Sequence, residues 1–336
     1  MNAQAAIARV VEHRDLTREE ARATMEEILA GRTTPVQIAG LAVALRMKGE
    51  TPAEVAGMAE AMRLRVPPIL TRRRPLLDTC GTGGDQSGTF NISTAVAIVA
   101  AACGVAVAKH GNRAISSRAG SADVLEQLGV AVELTPEAAA RAIDLVGLAF
   151  LFAPNYHVAL SHAAAPRREL GVRTVFNLLG PLTNPAGAKR QLLGVYADAL
   201  VRPLAEVLRQ LGSERAWIVH GSDGLDELTV FAHSHVADLE GGRITEFEVE
   251  PDRLGLRHQD RAAVAGGSAA DNAARIRAVL KGQSGAARDI VVLNTAAALV
   301  VGGVAPDLEG GIAAARGAID SGAAAAKLEE IAAFPA

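Results

Sequence analysis

Pro75-Leu-Leu-Asp-Thr-Cys-Gly-Thr-Gly-Gly-Asp85 runs through Gln86-Ser-Gly-Thr-Phe-Asn-Ile-Ser-Thr94 to Val105-Ala-Val-Ala-Lys-His-Gly111, and this stretch decides the fold. A strand-like run enters a glycine-rich turn, a helix starts within a few residues and ends near Gly104, and a second strand-like run follows. Strand, helix and strand in that order mark a parallel α/β unit. The turn presents backbone amides and a positive helix end to an anion. Gly81, Gly83 and Gly84 let the backbone approach phosphate oxygens, while Thr89, Asn91, Ser93 and Thr94 add polar groups near the helix start. No Gly-Lys-Ser/Thr follows, so this is not a Walker loop, and the spacing departs from G-x-G-x-x-G. A plain tight turn with a helix cap would give the same pattern.

Upstream the chain reads as helix throughout. Thr17 precedes Glu20, Thr34 precedes Gln37 and Thr51 precedes Glu54, each the spacing of a capping box. Pro35 and Pro52 stand at first helical positions, and Gly31 and Gly49 where the preceding helices should end. Val66-Pro67-Pro68 closes this helical unit. Downstream, strand-like runs at 216–221 and 242–249 continue the alternation, so the sheet is expected to be mainly parallel. Residues 163–188 read as helix followed by an irregular Gly-Pro-rich segment, with a pattern compatible with a return to the helical unit.

Composition narrows the class. Of 336 residues, 49% are hydrophobic and only 3% aromatic, which suits an aliphatic α/β core. The formal charge of -3 argues against a general affinity for nucleic-acid backbones, although it leaves room for a local basic pocket. Cys80 and Cys103 are the only cysteines, which favours a reducing compartment. The N-terminal residues lack a signal-type apolar core, and the apolar run from Ile92 to Ala108 is too short and broken to span a bilayer. A cytoplasmic protein that does not bind membranes is expected.

Two further segments carry chemistry. Lys109-His-Gly-Asn-Arg-Ala-Ile-Ser-Ser117 follows a strand, so its groups gather where open α/β sheets bind ligands. Lys109 and Arg113 bring positive charge, and Asn112, Ser116 and Ser117 bring neutral hydrogen bonds. A solvated surface loop is the alternative. In His220-Gly-Ser-Asp-Gly-Leu-Asp-Glu-Leu-Thr229 the adjacent Asp226 and Glu227 suit a hard cation such as magnesium, which is held by one or two carboxylates plus substrate phosphates. Most such pairs are solvated charges, so this signal is weak alone. His233 and His235 lack a third ligand at the spacing of a zinc site.

Taken together and in order, these segments resemble the anthranilate phosphoribosyltransferases of tryptophan synthesis. Phe150-Leu-Phe-Ala-Pro154 with His157, the run from Arg167 to Pro185, and the tail from Arg288 to Asn294 and from Ala318 to Gly322 extend the resemblance over nearly the whole chain. It implies a small helical domain, residues 1–67 joined by about 165–188, and a larger α/β domain, 68–164 with 189–336. It also implies a homodimer formed through the helical parts, and phosphoribosyl pyrophosphate and anthranilate as substrates.

By matching motifs, the donor would be bound by Gly81, Gly84, Asp85, Thr89, Asn91, Ile92, Ser93 and Thr94, by Lys109, His110, Gly111, Asn112, Arg113, Ala114, Ile115, Ser116 and Ser117, and by Ser121. Two magnesium ions per subunit would be held, one by Ser93 with Glu227 and one by Asp226 with Glu227. Anthranilate would contact Gly81, Asn112, His157 and Arg167, with the catalytic work falling to Lys109, Arg167, Asp226 and Glu227. The family commonly has His-Pro-Ala-Met where this chain has His157-Val-Ala-Leu160, and Ser at the position of Ala119. The first departure bears on the wall of the aromatic pocket.

The expected reaction is attack by the anthranilate amine on the anomeric carbon as pyrophosphate departs, with domain closure about Pro67-Pro68 and Pro185-Gly187. A pyrimidine nucleoside phosphorylase is the nearest rival, since it shares the fold but uses inorganic phosphate and has no need of the Asp226-Glu227 site. A non-catalytic nucleic-acid-binding relative is the other, but it should have lost ligand residues and gained a basic groove.

Overall fold

The computed structural model describes residues 1–114 and 118–335, so the expected donor contacts Ile115, Ser116 and Ser117 lie outside the described residues. Four helices open the chain: α1 (Ala3–Val10), α2 (Arg18–Leu29), α3 (Pro35–Lys48) and α4 (Pro52–Arg63). All three capping boxes form, and in the third Thr51 N–H donates to Glu54 Oε2 at 2.8 Å while Glu54 N–H donates to Thr51 Oγ1 at 3.3 Å. The fully buried Glu54 also accepts from Leu16 N–H and pairs with Lys48 at 3.0 Å, so one carboxylate joins a cap, a loop and a neighbouring helix. Helices α2 and α4 pack backbone to backbone, since a Cβ on Gly57 would stand 2.2 Å from the Arg18 carbonyl oxygen.

The rest alternates. β1 (Leu76–Asp78), α5 (Ile92–Ala102), β2 (Ala106–Gly111), α6 (Ser121–Gln127), α7 (Pro136–Val146) and β3 (Leu148–Phe152) build one side of a sheet. The chain then crosses through α8 (Ala153–Tyr156), α9 (Ala164–Leu170) and α10 (Val175–Leu179) to β4 (Arg190–Gly194), α11 (Val201–Gln210) and β5 (Arg215–Gly221) on the other side. A hairpin of β6 (Ser234–Glu240) and β7 (Arg243–Val249) completes the edge, and α12 (Ala269–Leu280), α13 (Ala286–Gly302), α14 (Leu308–Asp320) and α15 (Ala323–Ala332) cover one face.

The sheet has seven strands in the order β3-β2-β1-β4-β5-β6-β7. Five are parallel, and β6 and β7 add antiparallel pairs. The mainly parallel expectation holds, while β3, β4 and β6 are strands that periodicity alone did not mark. β3, Leu-Ala-Phe-Leu-Phe, is a plain apolar run that resembles buried helix. β4 has only two consecutive apolar residues beside Arg190 and Gln191, and β6 mixes Val236, Ala237 and Leu239 with polar residues.

α9 packs on α3, and α10 on α3 and α4. Phe176, Leu178 and Leu182 join Met25, Leu41, Leu45 and Met58 in one apolar cluster, which continues onto α11 and the adjoining sheet face at Leu193 and Ile218. The other face is covered by α5 and α13, whose Val96, Ile98, Val291 and Leu293 are fully buried.

Because successive connections leave β1 in opposite directions, toward β2 and later to β4, the strand order reverses there. A crevice opens beyond the carboxyl ends of strands at such a switch point, where open α/β sheets take their ligands.

Candidate active site

The glycine loop leaves β1 into this crevice. Thr82 N–H donates to the Gly194 carbonyl at 2.9 Å, fixing the loop on the end of β4. Gly84 has φ of 78°, a left-handed conformation that only glycine adopts without strain. Its carbonyl accepts a hydrogen bond from the Arg173 guanidinium, which lies over the Tyr196 ring at 4.3 Å. The residues from Gly88 onward run beside a second segment: Gly266 N–H donates to Gly88 O at 2.7 Å, and Phe90 N–H to Val264 O at 3.0 Å.

Below the loop lies Lys109, 2% exposed, with Nζ 3.2 Å from Ser93 Oγ and 3.4 Å from Thr79 Oγ1. Thr79 Oγ1 in turn donates to Ser93 O. A buried ammonium thus braces the first turn of α5, where Ser93 stands. Asp226 and Glu227 come from the loop after β5. Burial first, and then the charge of Asp85, pushes Asp226 up to about 8. Glu227 is held well above the ordinary carboxylate range by burial and by Asp226, while Lys109 and a backbone hydrogen bond from Ser93 act the other way. Asp85 Oδ2 accepts from Asp226 N–H at 3.3 Å.

Three carboxylates and one lysine therefore share a small volume with an excess of negative charge. A divalent cation would relieve it. Among the described residues no three His, Cys, Asp or Glu side chains form a metal cage by themselves. The donor set of Asp226, Glu227 and the Ser93 hydroxyl fits a magnesium ion that completes its shell with water and phosphate.

Other expected donor residues are placed more variously. The Ile92 and Thr94 side chains are buried in the α/β core, and their backbone amides donate to Phe90 O at 2.7 Å and Asn91 O at 3.1 Å. Asn91 donates to Ala119 O at 3.2 Å, which brings the glycine loop to the turn that leads into α6. Ser121 Oγ donates to Asn112 O at 3.2 Å, and a Cβ on Gly111 would stand 2.4 Å from that hydroxyl. Arg113 turns onto α6, pairing with Glu126 at 2.7 Å and Asp123 at 3.0 Å, and the Ala114 N–H donates to Asp123 as well.

His110 is on the donor strand, but its ring faces elsewhere: Nδ1 is 3.1 Å from Gly180 O, and the ring centroid is 5.2 Å from that of His157. Burial pushes His157 down to about 4, and its Nε2 is 3.5 Å from Thr183 Oγ1. Arg167, on α9, lies over Phe176 at 5.5 Å. His110, His157 and Thr183 thus cluster where the sheet meets the 180–183 segment.

Sequence reasoning missed three positions. Asp78 is fully buried and accepts from His110 N–H at 3.1 Å and from Asn184 Nδ2 at 2.7 Å, locking the 180s segment to the sheet. Arg173, which grips the glycine loop, stood in the quoted Arg167–Pro185 run but offered no local signal. Asn272 bonds Asn91 from α12 and had no motif at all. Cys80 is no nucleophile, because burial drives its thiol far above the ordinary value. His235 is 2.7 Å from Asp198 and 3.2 Å from Glu246, whereas His233 faces Ser222.

The architecture matches two family descriptions: "Glycosyl transferase family, helical bundle domain" over residues 4–65 and "Glycosyl transferase family, a/b domain" over 73–325. Anthranilate phosphoribosyltransferase from Moorella thermoacetica is 54% identical over 331 residues, with 98% of each chain covered. The chain belongs to the anthranilate phosphoribosyltransferase family. The Myxococcus xanthus member is likewise 54% identical, with 98% of each chain covered. A crystal structure of the Thermus thermophilus enzyme superposes with a TM-score of 0.92 at 48% identity, covering 98% of both chains. The Saccharomyces cerevisiae enzyme in complex with PRPP and Mg superposes at 0.88 with 26% identity, covering 98% of this chain and 96% of that one. Membership of this family favours phosphoribosyl transfer over the phosphorylase and nucleic-acid-binding alternatives. Among the described residues no helix is long and apolar enough to cross a membrane.

Proposed function

We propose that the chain transfers the phosphoribosyl group of phosphoribosyl pyrophosphate to the amine of anthranilate, giving phosphoribosyl-anthranilate and pyrophosphate in tryptophan biosynthesis. The observation that carries this reading is the meeting of an anion-binding glycine loop with Asp226 and Glu227 at one switch point. The N–C1 bond forms as the bond from C1 to the pyrophosphate oxygen breaks. The electron pair of that bond leaves with the pyrophosphate, and the amine gives up one proton to water or to the departing pyrophosphate. An aromatic amine is a weak nucleophile, so the residues must chiefly help the leaving group depart.

Loop amides at Gly84 and Asp85 and the start of α5 receive the pyrophosphate, and Thr89, Asn91, Asn112 and Ser121 orient the rest of the donor. Ser93, Asp226 and Glu227 would hold magnesium, two ions per subunit, which supplies charge neutralisation on the departing pyrophosphate. Lys109 acts through Ser93 and Glu227, keeping their geometry and offsetting their charge. Arg167 orients the anthranilate carboxylate with its planar fork. His157, neutral near pH 7, lines the aromatic pocket. Placing two substrates together contributes up to about 7–11 kcal/mol.

The catalytic body is residues 68–164 with 189–336, and 1–67 with about 165–188 forms the other. They close on the substrates about Pro67-Pro68 and Pro185-Gly187. Scattering profiles with and without both substrates test that closure, which identical profiles exclude. The protein works as a cytoplasmic homodimer, a reading supported by apolar surface on the helical unit at Val36, 81% exposed, and Met47, 79% exposed.

The experiment for the reaction follows anthranilate fluorescence after addition of phosphoribosyl pyrophosphate, with and without magnesium. Magnesium-dependent loss of signal matched by pyrophosphate release is expected. No loss under any condition sinks the proposal.

A further inference from the structure

Asn272 stands in the first turn of α12, is 3% exposed, and belongs to none of the ligand-binding motifs. Its Oδ1 accepts from Gly267 N–H at 2.8 Å, and its Nδ2 donates to Asn91 Oδ1 at 2.9 Å. Asn91 Nδ2 then donates to Ala119 O at 3.2 Å. Both ends of this chain are backbone groups, a donor at Gly267 and an acceptor at Ala119, so the orientation of both carboxamides is fixed between them. The relay ties together the exit of the glycine loop, the Ala119 turn that leads into α6, and the start of α12.

The same α12 entry is stitched to the glycine loop along its backbone. Thr89 bridges Ala265, and a Cβ on Gly266 would stand 2.5 Å from Thr89 O. Arg275, also on α12, donates to Ala263 O and lies over the Phe90 ring at 5.9 Å. The glycine loop is therefore held from behind by a segment 181 residues further along the chain, where Asn272 bonds the Asn91 side chain. The change from the family's usual serine to Ala119 leaves the relay intact, since a backbone carbonyl receives it.

We infer that Asn272 is a positioning residue for the donor: it orients the Asn91 carboxamide and sets the spacing of the glycine loop and the Ala119 turn. The inference rests on the placement of Asn91 at the phosphoribosyl pyrophosphate site proposed above. In Asn272→Asp the carboxylate still accepts from Gly267 but cannot donate to Asn91, so the Asn91 amide must turn over and lose Ala119.

The test is steady-state kinetics of Asn272→Asp, Asn91→Ala and the double variant, with thermal melts of each. Asn272→Asp is expected to raise the donor KM by roughly tenfold, the size of one lost hydrogen bond to a charged or buried group, with the anthranilate KM nearly unchanged. In the Asn91→Ala background the same substitution should add almost nothing, because its route of action is already gone. Should Asn272→Asp fail to fold, Asn272→Ser carries the same comparison. An unchanged donor KM in the Asn272 variants, equal rises in both KM values, or additive effects in the double variant overturn the inference. An unchanged donor KM in Asn91→Ala overturns the placement of Asn91 itself, and the inference with it.

Discussion

The α-carbon of Gly194, at the end of β4, lies so close to Asp226 that a Cβ there would stand 1.6 Å from the Asp226 carbonyl oxygen. Gly194 O also receives Thr82 N–H, so this one residue sets the distance between the glycine loop and the carboxylate pair. Gly194→Ala cannot be absorbed by a side-chain movement, because the obstacle is backbone. It should cost about 1–3 kcal/mol of stability as an overpacking change. By displacing Asp226 and Glu227 it should also lower kcat/KM on the order of 100-fold. Urea melts and initial rates check the two parts separately. Near-wild-type activity would show that the Asp226 loop can move without consequence.

Arg167 is partly withdrawn from water over Phe176 and keeps its charge. Arg167→Lys preserves that charge but loses the planar fork that grips a carboxylate in two places. The anthranilate KM should rise roughly 10- to 100-fold, the worth of one or two charge-assisted hydrogen bonds. The donor KM should stay near its original value. A rise confined to the donor would place Arg167 on the wrong substrate.

Glu227→Gln tests the cation site by two readouts. Burial and mutual repulsion push Asp226 up to about 8 and Glu227 well above the ordinary range. Without a cation, Glu227 takes up a proton that the unfolded chain does not bind at pH 7, and Glu227→Gln removes that cost. Half-maximal activity should therefore need more magnesium, while the melting temperature in chelator should rise. Such opposition between stability and function is common where charges are collected for a ligand. A variant with unchanged magnesium dependence would remove Glu227 from the site.

How much of this was legible beforehand depended on the range of each interaction. The capping boxes at Thr17, Thr34 and Thr51 are decided within three residues, and all three form as read. The glycine loop was equally plain, because strand, turn and helix are contiguous. Strand β3 was not marked, since an apolar run buried on both faces carries no period, and β4, Arg190–Gly194, holds too few apolar residues to show one. His110 shows a different limit: its backbone belongs to the donor strand, while its ring answers to Gly180 and His157, which are distant in sequence. Arg173 and Asn272 act on the glycine loop only once α9–α10 and α12 have been brought to it. No local pattern announces such partners.

The His157 ring gives a pH signature of its own. Burial holds its pKa at about 4, below the unfolded value, and the facing His110 ring, 5.2 Å away, is pushed down to about 3. A depressed pKa means that the unfolded chain binds a proton which the folded chain refuses. The stability that His157 contributes is therefore complete above about pH 6.5 and is lost as pH falls toward 4. Within that window each such group makes stability fall by up to about 1.4 kcal/mol per pH unit. Asp78, pushed up to about 6 by burial, works in the opposite direction, so the wild-type slope alone does not isolate the histidine. The difference between wild type and His157→Asn does. Urea midpoints at pH 7.5, 6.0 and 5.0 should converge as the pH drops, because the variant has no proton to gain at this position. Midpoints that stay parallel across the series would mean that folding does not lower the His157 pKa, and its assignment to a buried wall of the anthranilate pocket would have to be given up.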